Sequence, residues 1–425
     1  MKIVYMVLCA FLLIVDSLDM IPFINYWDEA TILIAPVCAI IANRGKLIFN
    51  VEKQKRYLLL FILVAIGILG NLFSPGIQPH MGATLRDVVA FIKFPVIMIS
   101  LKCISDGYGV KQRHHRDAIW AGVIVSKIFT VAAVAGIVLG KIVDLGFYTG
   151  EIRIIDSYQF CFSHPTFLVS SVVVCVVLLV EGGMKKNRKY VILDCILLFM
   201  AQRFKGYAFI VFALALLFVK PRLLNKLLSF KGKTKIKRKY IIPVVAIAGF
   251  IVFMVFRRRF ATYLTWGMTS ARLALYMVGV LILRDKFPLG SGFGTFGSFL
   301  SGKFYSNIYY MYGISTVDGL GPDKYNYISD AYWPWIYGQL GILGFLGYVI
   351  LIVNLIKKQF GRLKEYDHII AFILLWIYAL LASTMEAYFT NGTGVVLAIV
   401  LSVFIGIDNT TAKGEINNVE KKHNS

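Results

Sequence analysis

The stretch from Trp335 to Ile356 reads WIYGQLGILGFLGYVILIVNLI and is the clearest indication of the fold class of this chain. It contains no charged side chain, and Lys357 and Lys358 follow it directly. A helix of about 20 apolar residues is long enough to cross the roughly 30 Å hydrocarbon core of a bilayer. The stretch therefore predicts a transmembrane helix that ends at a basic flank.

The composition extends this prediction to the whole chain. Of 425 residues, 58% are hydrophobic and 16% are charged, and the mean hydropathy is +0.72. Soluble domains are about 45–50% apolar and about 25% charged, so a water-soluble globular protein is excluded. The net charge of +22 would suggest nucleic-acid binding in a soluble chain. Membrane proteins collect Lys and Arg in cytoplasmic loops, so no nucleic-acid partner is expected.

Similar apolar stretches recur along the chain and predict twelve spans. They cover approximately residues 3–15, 30–42, 57–73, 87–104, 118–140, 166–180, 190–202, 206–219, 240–256, 335–356, 368–383 and 392–407. Several are short, so flanking Tyr, Trp and Lys must complete the crossing. The expected fold is an all-α polytopic membrane protein with about 12 transmembrane helices, in which residues 1–425 form a single integral membrane domain.

Counting Lys and Arg in alternate connections predicts the orientation. Thirty of them fall in one set of connections and thirteen in the other, while Lys93 and Lys127 lie inside spans. The richer set is expected to be cytoplasmic, which places both termini and the polar tail 408–425 inside. Its strongest anchor is Lys220 to Lys239, with nine cations and no acid, which would lie against membrane lipid. The predicted location is the bacterial cytoplasmic membrane.

The six cysteines and six histidines show neither a disulfide framework nor metal-ligand spacing. A metal site built from Cys and His is therefore not expected, and no cofactor is predicted. The chain also lacks a phosphate-binding Gly-Lys-Ser/Thr loop, which disfavours an ATP-driven transporter.

The long connection 257–334 belongs to the connections that are predicted to be extracytoplasmic. A connection of this length indicates an activity at the outer membrane face. Its tyrosines include Tyr309, Tyr312, Tyr325 and Tyr327, whose flat apolar rings with polar edges suit sugar rings. Interfacial Tyr also anchors helices in membranes, and that interpretation stays open. The loop has eight cations and four acids. An anionic substrate would give that positive excess a function.

Three cations near the outer face are candidates for binding such an anion. Arg203 and Lys205 occupy a tight turn between two spans, and Arg272 precedes an apolar stretch, 273–283, that predicts a further helix. Arg suits a bidentate grip on phosphate oxygens. The alternative is that Arg203 and Lys205 only snorkel to the interface.

Several short motifs appear in a particular order. Arg203-x-x-Gly206 opens a span, Ser270-Ala271-Arg272 follows, the run 287–296 reads FPLGSGFGTF, and Asp330 precedes GQLGILG at 338–344. This order resembles the Wzy-type O-antigen and capsular polysaccharide polymerase and O-antigen ligase superfamily. The segments FSHP at 162–165 and WDE at 27–29 are similar to features of that group.

The resemblance implies a metal-independent glycosyltransferase of the GT-C type, which joins undecaprenyl-diphosphate-linked oligosaccharides at the outer membrane face. It implies that Arg203 and Arg272 hold the diphosphate, with Lys205 beside them. A chain-length regulator and a flippase of the same pathway are the partners it implies. The ligase histidine is absent, since residues 329–334 read SDAYWP. This departure favours a polymerase over a ligase.

A lipid diphosphate is an activated donor, so the remaining need is a group that accepts the acceptor hydroxyl's proton. Asp330 is the first candidate, with Asp323 and His164 behind it. Asp330 also stands where it could cap a helix. The glycine run Gly290, Gly292 and Gly294 either lets backbone approach a substrate or a neighbouring helix, or forms a plain turn.

Two other functions stay open. A flippase of the same lipid-linked sugar would use charges within spans, such as Lys93, Lys127 and Asp194. A metal-dependent GT-C enzyme would hold its metal on carboxylates of the first outer connection. Those carboxylates are Asp16, Asp19, Asp28 and Glu29.

Overall fold

The computed structural model describes residues 1–18, 21, 24–42, 51–74, 76–77, 80–108, 112–152, 154–218, 261, 265, 267–363 and 365–405. The predicted span 240–256, the basic anchor 220–239, Asp19 and the tail 408–425 lie outside the described residues.

The described chain is mostly helical, and eleven of the twelve predicted apolar stretches lie in helices. The long helices are α1 (Lys2–Ile14), α2 (Trp27–Ala42), α3 (Val51–Phe73), α4 (Met81–Tyr108), α5 (Gln112–Ile142), α6 (Pro165–Glu181), α7 (Met184–Met200), α8 (Phe204–Phe218), α9 (Ala271–Asp285), α12 (Tyr332–Phe360), α13 (Tyr366–Ser383) and α14 (Gly392–Ile399), which continues as a π-turn (Val400–Phe404). Two short helices, α10 (Phe299–Lys303) and α11 (Ile308–Met311), lie in the long loop.

Within the described residues, three helices are long and apolar enough to cross a membrane on length and composition alone. They are His114–Ile142 in α5, Tyr332–Phe360 and Tyr366–Ser383. Shorter apolar helices include Pro165–Glu181, whose residues are almost all buried among its neighbours. The chain is thus a helical membrane protein, as predicted.

Alternate connections meet at opposite ends of the bundle. At one end, the ring of His368 at the start of α13 lies 2.7 Å from the buried carboxylate of Glu181 at the end of α6. At the other end, Arg272 contacts Asp330 and Lys205 contacts Glu386. The second group belongs to the connections that the charge count predicts to be extracytoplasmic, and we call that end the outer end.

Helix α12 is broken near its start, and the glycine run fills the break. Gly341 has φ 63° and ψ −166°, which no helix residue adopts. The N–H groups of Ser291 and Gly292 donate to the carbonyls of Gly338 and Gln339, both at 2.9 Å. Irregular backbone at membrane depth is tolerated only where protein satisfies its polar groups. The break therefore depends on the loop that packs into it.

The long loop forms a compact unit on the outer end. The predicted helix over 273–283 is present as α9, whose face with Leu275, Val278 and Ile282 is fully buried. A small second core joins α9 to the loop through Phe296, Ile308 and other apolar side chains. The one departure from an all-α fold among the described residues is a hairpin of β1 (Tyr148–Ile152) and β2 (Asp156–Tyr158).

Candidate functional site

Arg272 and Asp330 form an ion pair at the outer end. Arg272 stands in the first turn of α9, and its Nη2 lies 2.9 Å from Asp330 Oδ2. Its Nε donates to the Asp330 carbonyl at 3.2 Å, and its Nη2 donates to the Met385 carbonyl at 3.3 Å. The N-cap of α12 is Ala331, without a side-chain cap. Asp330 therefore does not cap α12, although its position in the sequence would permit that role. Its carboxylate pairs with the Arg272 guanidinium instead.

Lys205 is paired with an acid that the sequence analysis did not select. Its Nζ lies 2.8 Å from both carboxylate oxygens of Glu386, and its side chain is 6% exposed. A buried, paired ammonium does not snorkel, so that alternative fails for Lys205. Glu386 carries the one charge in the short connection between α13 and α14. A lone acid in an otherwise uncharged outer turn was the available signal.

Arg203 lies next to His164, one residue before α8 begins. His164 caps α6, since its Nδ1 accepts the Thr166 N–H at 3.2 Å. With Nδ1 as acceptor, the ring proton sits on Nε2, which lies 3.2 Å from Arg203 Nη2. The N–H groups of Arg203 Nη2 and His164 Nε2 then lie side by side. An anion that accepts a hydrogen bond from each of them would stabilise this arrangement. In this tautomer Nε2 is a donor rather than a base.

These pairs belong to one cluster, because the turn after α13 connects them. Met385 accepts from Arg272, and the next residue, Glu386, binds Lys205. We call the cations Arg203, Lys205 and Arg272 with their partners His164, Asp330 and Glu386 the outer cluster. Five chain segments that are distant in sequence supply it.

The electrostatics of the outer cluster favour a proton-accepting Asp330. Burial raises the pKa of Asp330 above its ordinary value, Arg272 opposes that rise, and the negative charge of Glu386 adds to it. A carboxylate with a raised pKa holds a proton more readily at neutral pH. Neutralising Arg272 with an anion would remove the one opposing influence and make Asp330 a stronger base.

A cavity of about 490 Å³ opens beside the outer cluster. Ser329 and Ala387 line it, and they are the immediate neighbours of Asp330 and Glu386. Its wall also includes amide, hydroxyl and charged groups: Glu29, Arg86, Asp87, Lys93, Thr390 and Asn391. Its aromatic lining residues are Tyr26, Phe299, Tyr332 and Trp335. Aromatic faces combined with amides and carboxylates are the groups that bind sugars. We call this space the outer cavity.

Lys93, which lines the outer cavity, forms a triad with two acids of α2, the buried Asp28 and the partly exposed Glu29. Its Nζ lies 2.7 Å from Asp28 Oδ2 and 3.2 Å from Glu29 Oε1. Asp28 and Glu29, two of the four carboxylates predicted as possible metal ligands, thus face a lysine. Within the described part of the chain, no group of three or more His, Cys, Asp or Glu is placed to hold a metal ion.

The four tyrosines predicted as sugar contacts do not line the outer cavity, although Tyr309 and Tyr325 contact its lining residues Gly297 and Phe299. Tyr309 is fully buried, and its hydroxyl accepts from the Gly297 N–H at 2.9 Å. The Tyr312 hydroxyl donates to Asp285 at 3.2 Å. Tyr325 packs against Phe299 with ring centroids 5.9 Å apart, and Tyr327 is 43% exposed. These contacts give Tyr309 a structural role in the loop core.

Of the interpretations of the glycine run, the structure shows close approach to neighbouring helices. A Cβ on Gly290 would lie 2.4 Å from the Gly341 nitrogen, and one on Gly292 would lie 2.3 Å from the Asn71 nitrogen. Gly294 donates its N–H to Asp87 Oδ2 at 3.0 Å. That oxygen also accepts from Trp335 Nε1 and Gln339 Nε2. The run is therefore built into the wall of the site rather than exposed in it.

The remaining candidates lie apart from the outer cluster. Asp323 is exposed in a loop where its neighbour Lys324 pairs with Asp318 at 2.8 Å. Asp194 is fully buried in α7 and accepts from the Thr130 hydroxyl at 2.7 Å. Lys127 lies over the ring of Tyr190, 5.1 Å from its centroid.

No protein-family model, no curated protein and no solved structure matches this chain. The functional assignment therefore rests on the geometry of the outer cluster and the outer cavity.

Proposed function

We propose that this protein is a polysaccharide polymerase, a glycosyltransferase that joins undecaprenyl-diphosphate-linked oligosaccharide units at the outer face of the bacterial cytoplasmic membrane. The observation that carries the proposal is the outer cluster itself. Arg203 and Lys205 come from one outer turn and Arg272 from another outer segment, and all three lie beside one cavity. Cations gathered in a partly buried site are suited to a multiply charged anion such as a diphosphate.

The donor's diphosphate would bind by exchange with carboxylates already present. Arg272 is 25% exposed and Asp330 is 36% exposed, so the pair is reachable from the membrane surface. The Arg272 guanidinium would exchange its hydrogen bond to Asp330 for one to a phosphate oxygen. Arg203 and the Nε2–H of His164 would donate hydrogen bonds to a second phosphate oxygen. Asp330 would then be released beside the substrate at the moment when the donor is in place.

The released Asp330 would accept the acceptor hydroxyl's proton. The hydroxyl oxygen forms a bond to the donor's anomeric carbon, and the bond from that carbon to the diphosphate oxygen breaks. The departing lipid diphosphate takes the electron pair, and its growing negative charge is stabilised by the cations. Such a base contributes typically about 100-fold to 10,000-fold in rate.

The outer cavity would hold the sugars of the acceptor. Tyr26 and Phe299, which are 69% and 54% exposed, supply aromatic surface, and Asn391 and Thr390 supply hydrogen-bonding groups next to the turn that carries Glu386. This position would bring an acceptor hydroxyl close to Asp330, whose neighbour Ser329 lines the same cavity.

The test compares two arginines at opposite ends of α9. Arg272 belongs to the outer cluster, whereas Arg284 is 73% exposed and pairs with its neighbour Asp285. Purified protein is incubated with a defined undecaprenyl-diphosphate oligosaccharide, and the products are separated as a ladder on a gel. We expect Arg272→Ala to lower chain extension by about 100-fold to 1,000-fold, the usual effect of removing one group that stabilises developing negative charge. Arg284→Ala should extend chains as the native protein does. A full-length ladder from Arg272→Ala, or none from the native protein, would reject the proposal.

A flippase of the same lipid-linked sugar is the second candidate, and the buried Lys93 triad favours it. Charges held within the helical part of a membrane protein often mark a transport path. Vesicles containing the purified protein and a labelled lipid-linked sugar separate the two functions. Movement of the label to the opposite leaflet without chain growth would support the flippase.

A further inference from the structure

A second cavity lies at the end of the bundle opposite to the outer cluster. It has a volume of about 870 Å³ and opens between the beginnings of α1 and α5. Its lining residues include Lys2, Ile3, Met6, Arg116, Asp117 and Trp120. We call it the Trp120 pocket. None of these residues takes part in the proposed reaction.

One half of the Trp120 pocket is charged. Lys2 holds its Nζ over the indole of Trp120, 4.5 Å from the ring centroid, and Arg116 is exposed beside it. Asp117 contributes the opposing charge, so cations outnumber acids in the lining. A phosphate group would meet this positive excess, and Arg and Lys are the side chains that bind phosphate oxygens.

The other half is apolar and continues along the helix surface. Ile3 is 75% exposed and Val7, one turn further along α1, is 64% exposed. Trp120 is 43% exposed, which is typical of an indole at a membrane interface. An occupant of the pocket therefore meets cations at one end and an exposed hydrocarbon surface at the other.

We propose that the Trp120 pocket binds an anionic phospholipid with a hydroxyl-bearing headgroup, of the phosphatidylglycerol type. Lys2 and Arg116 would hold the phosphate, and Asp117 would accept a headgroup hydroxyl. The acyl chains would lie along the Ile3 and Val7 side of α1. Basic pockets between helices at a membrane surface bind anionic headgroups in this way. A bound lipid would join α1 to α5 at that leaflet.

Native mass spectrometry of the protein in a neutral detergent tests the proposal, with dioleoyl phosphatidylglycerol as the probe. The double variant Lys2→Ala/Arg116→Ala should bind the lipid about tenfold to thirtyfold more weakly than the native chain, because each lost cation contributes roughly a factor of five. The charge-preserving variant Lys2→Arg/Arg116→Lys should retain binding, which separates loss of charge from loss of fold.

The control is Lys141→Ala, because Lys141 reproduces the cation–ring contact at the other end of α5. Its Nζ lies 3.9 Å from the Tyr148 centroid, but it does not line the Trp120 pocket. Lipid binding should be unchanged in that variant. Equal binding by native protein and the double alanine variant would overturn the proposal. If phosphatidylethanolamine binds as tightly as phosphatidylglycerol, the pocket does not select an anionic headgroup and the proposal is overturned. If free glycerol phosphate binds as tightly as the lipid, the acyl chains contribute nothing to binding and the proposal is overturned as well.

Discussion

The Lys93 triad allows a sharp test of whether a buried charge serves the fold or the function. The change is Lys93→Met, which keeps the aliphatic length and removes the cation. The Lys93 side chain is 4% exposed and that of Asp28 is 10% exposed, with the two charges 2.7 Å apart. Removing one partner of such a buried pair costs about 3–5 kcal/mol, because the other charge stays buried alone. Glu29 is 47% exposed and adds at most about 1 kcal/mol.

The assay is unfolding in mixed micelles of a neutral detergent and dodecyl sulfate, followed by circular dichroism. We expect Lys93→Met to lower the free energy of unfolding by about 3–5 kcal/mol. The double variant Lys93→Met/Asp28→Asn removes both charges of the buried pair and should recover most of that loss. The reasoning is refuted if Lys93→Met stays within about 1 kcal/mol of the native protein. It is also refuted if the double variant is no more stable than the single one.

The folded double variant then separates the two candidate functions. A polymerase in which Lys93 only joins α2 to α4 should still extend chains in the double variant. A flippase that moves its substrate past Lys93 should lose transport in the same protein, although its fold is intact.

Two further predictions concern the base and the glycine run. Activity should rise as Asp330 ionises, and since Glu386 raises the pKa of Asp330, Glu386→Gln should move the acidic limb of the pH–rate profile to lower pH. A limb that stays in place or moves to higher pH would contradict this role of Glu386. Gly292→Ala should lower the free energy of unfolding by about 1–3 kcal/mol more than Gly146→Ala, as measured by the same detergent unfolding. Both glycines have positive φ, but a Cβ at Gly146 meets nothing within 4 Å, whereas one at Gly292 lies 2.3 Å from a backbone nitrogen of α3. Equal losses would show that close packing at Gly292 contributes nothing.

Much of the helical architecture could be predicted from the sequence. Long apolar runs form helices because a membrane leaves the backbone no other partner for its hydrogen bonds. The stretch from Trp335 to Ile356 lies within α12, as predicted, but the break at Gly341 was not foreseen. The break is stabilised by hydrogen bonds from a loop some fifty residues earlier in the chain. The pattern of apolar residues within the stretch itself cannot predict a contact with that loop.

The candidate site was predicted in part. Arg203, Arg272 and Asp330 stood out because charged residues beside apolar runs are few, and the structure brings Arg272 and Asp330 into contact. Glu386 was missed, although it is the one charged residue in the turn between α13 and α14, because a single acid has no motif spacing that names a partner. Tyr309 was chosen for its type, and its burial depends on the second core that the loop forms around it.

The amino-acid sequence alone indicates that this is a helical membrane protein, where most of its helices lie, and which few charges stand near the outer end. Those properties follow from local composition, because each apolar run must satisfy its own backbone and each charge resists burial. The three-dimensional packing alone shows which charges pair, that Asp28 faces Lys93, and that a cavity opens beside Asp330. Partners separated by tens to more than a hundred residues become neighbours through the packing of helices, and no stretch of the chain encodes that contact alone.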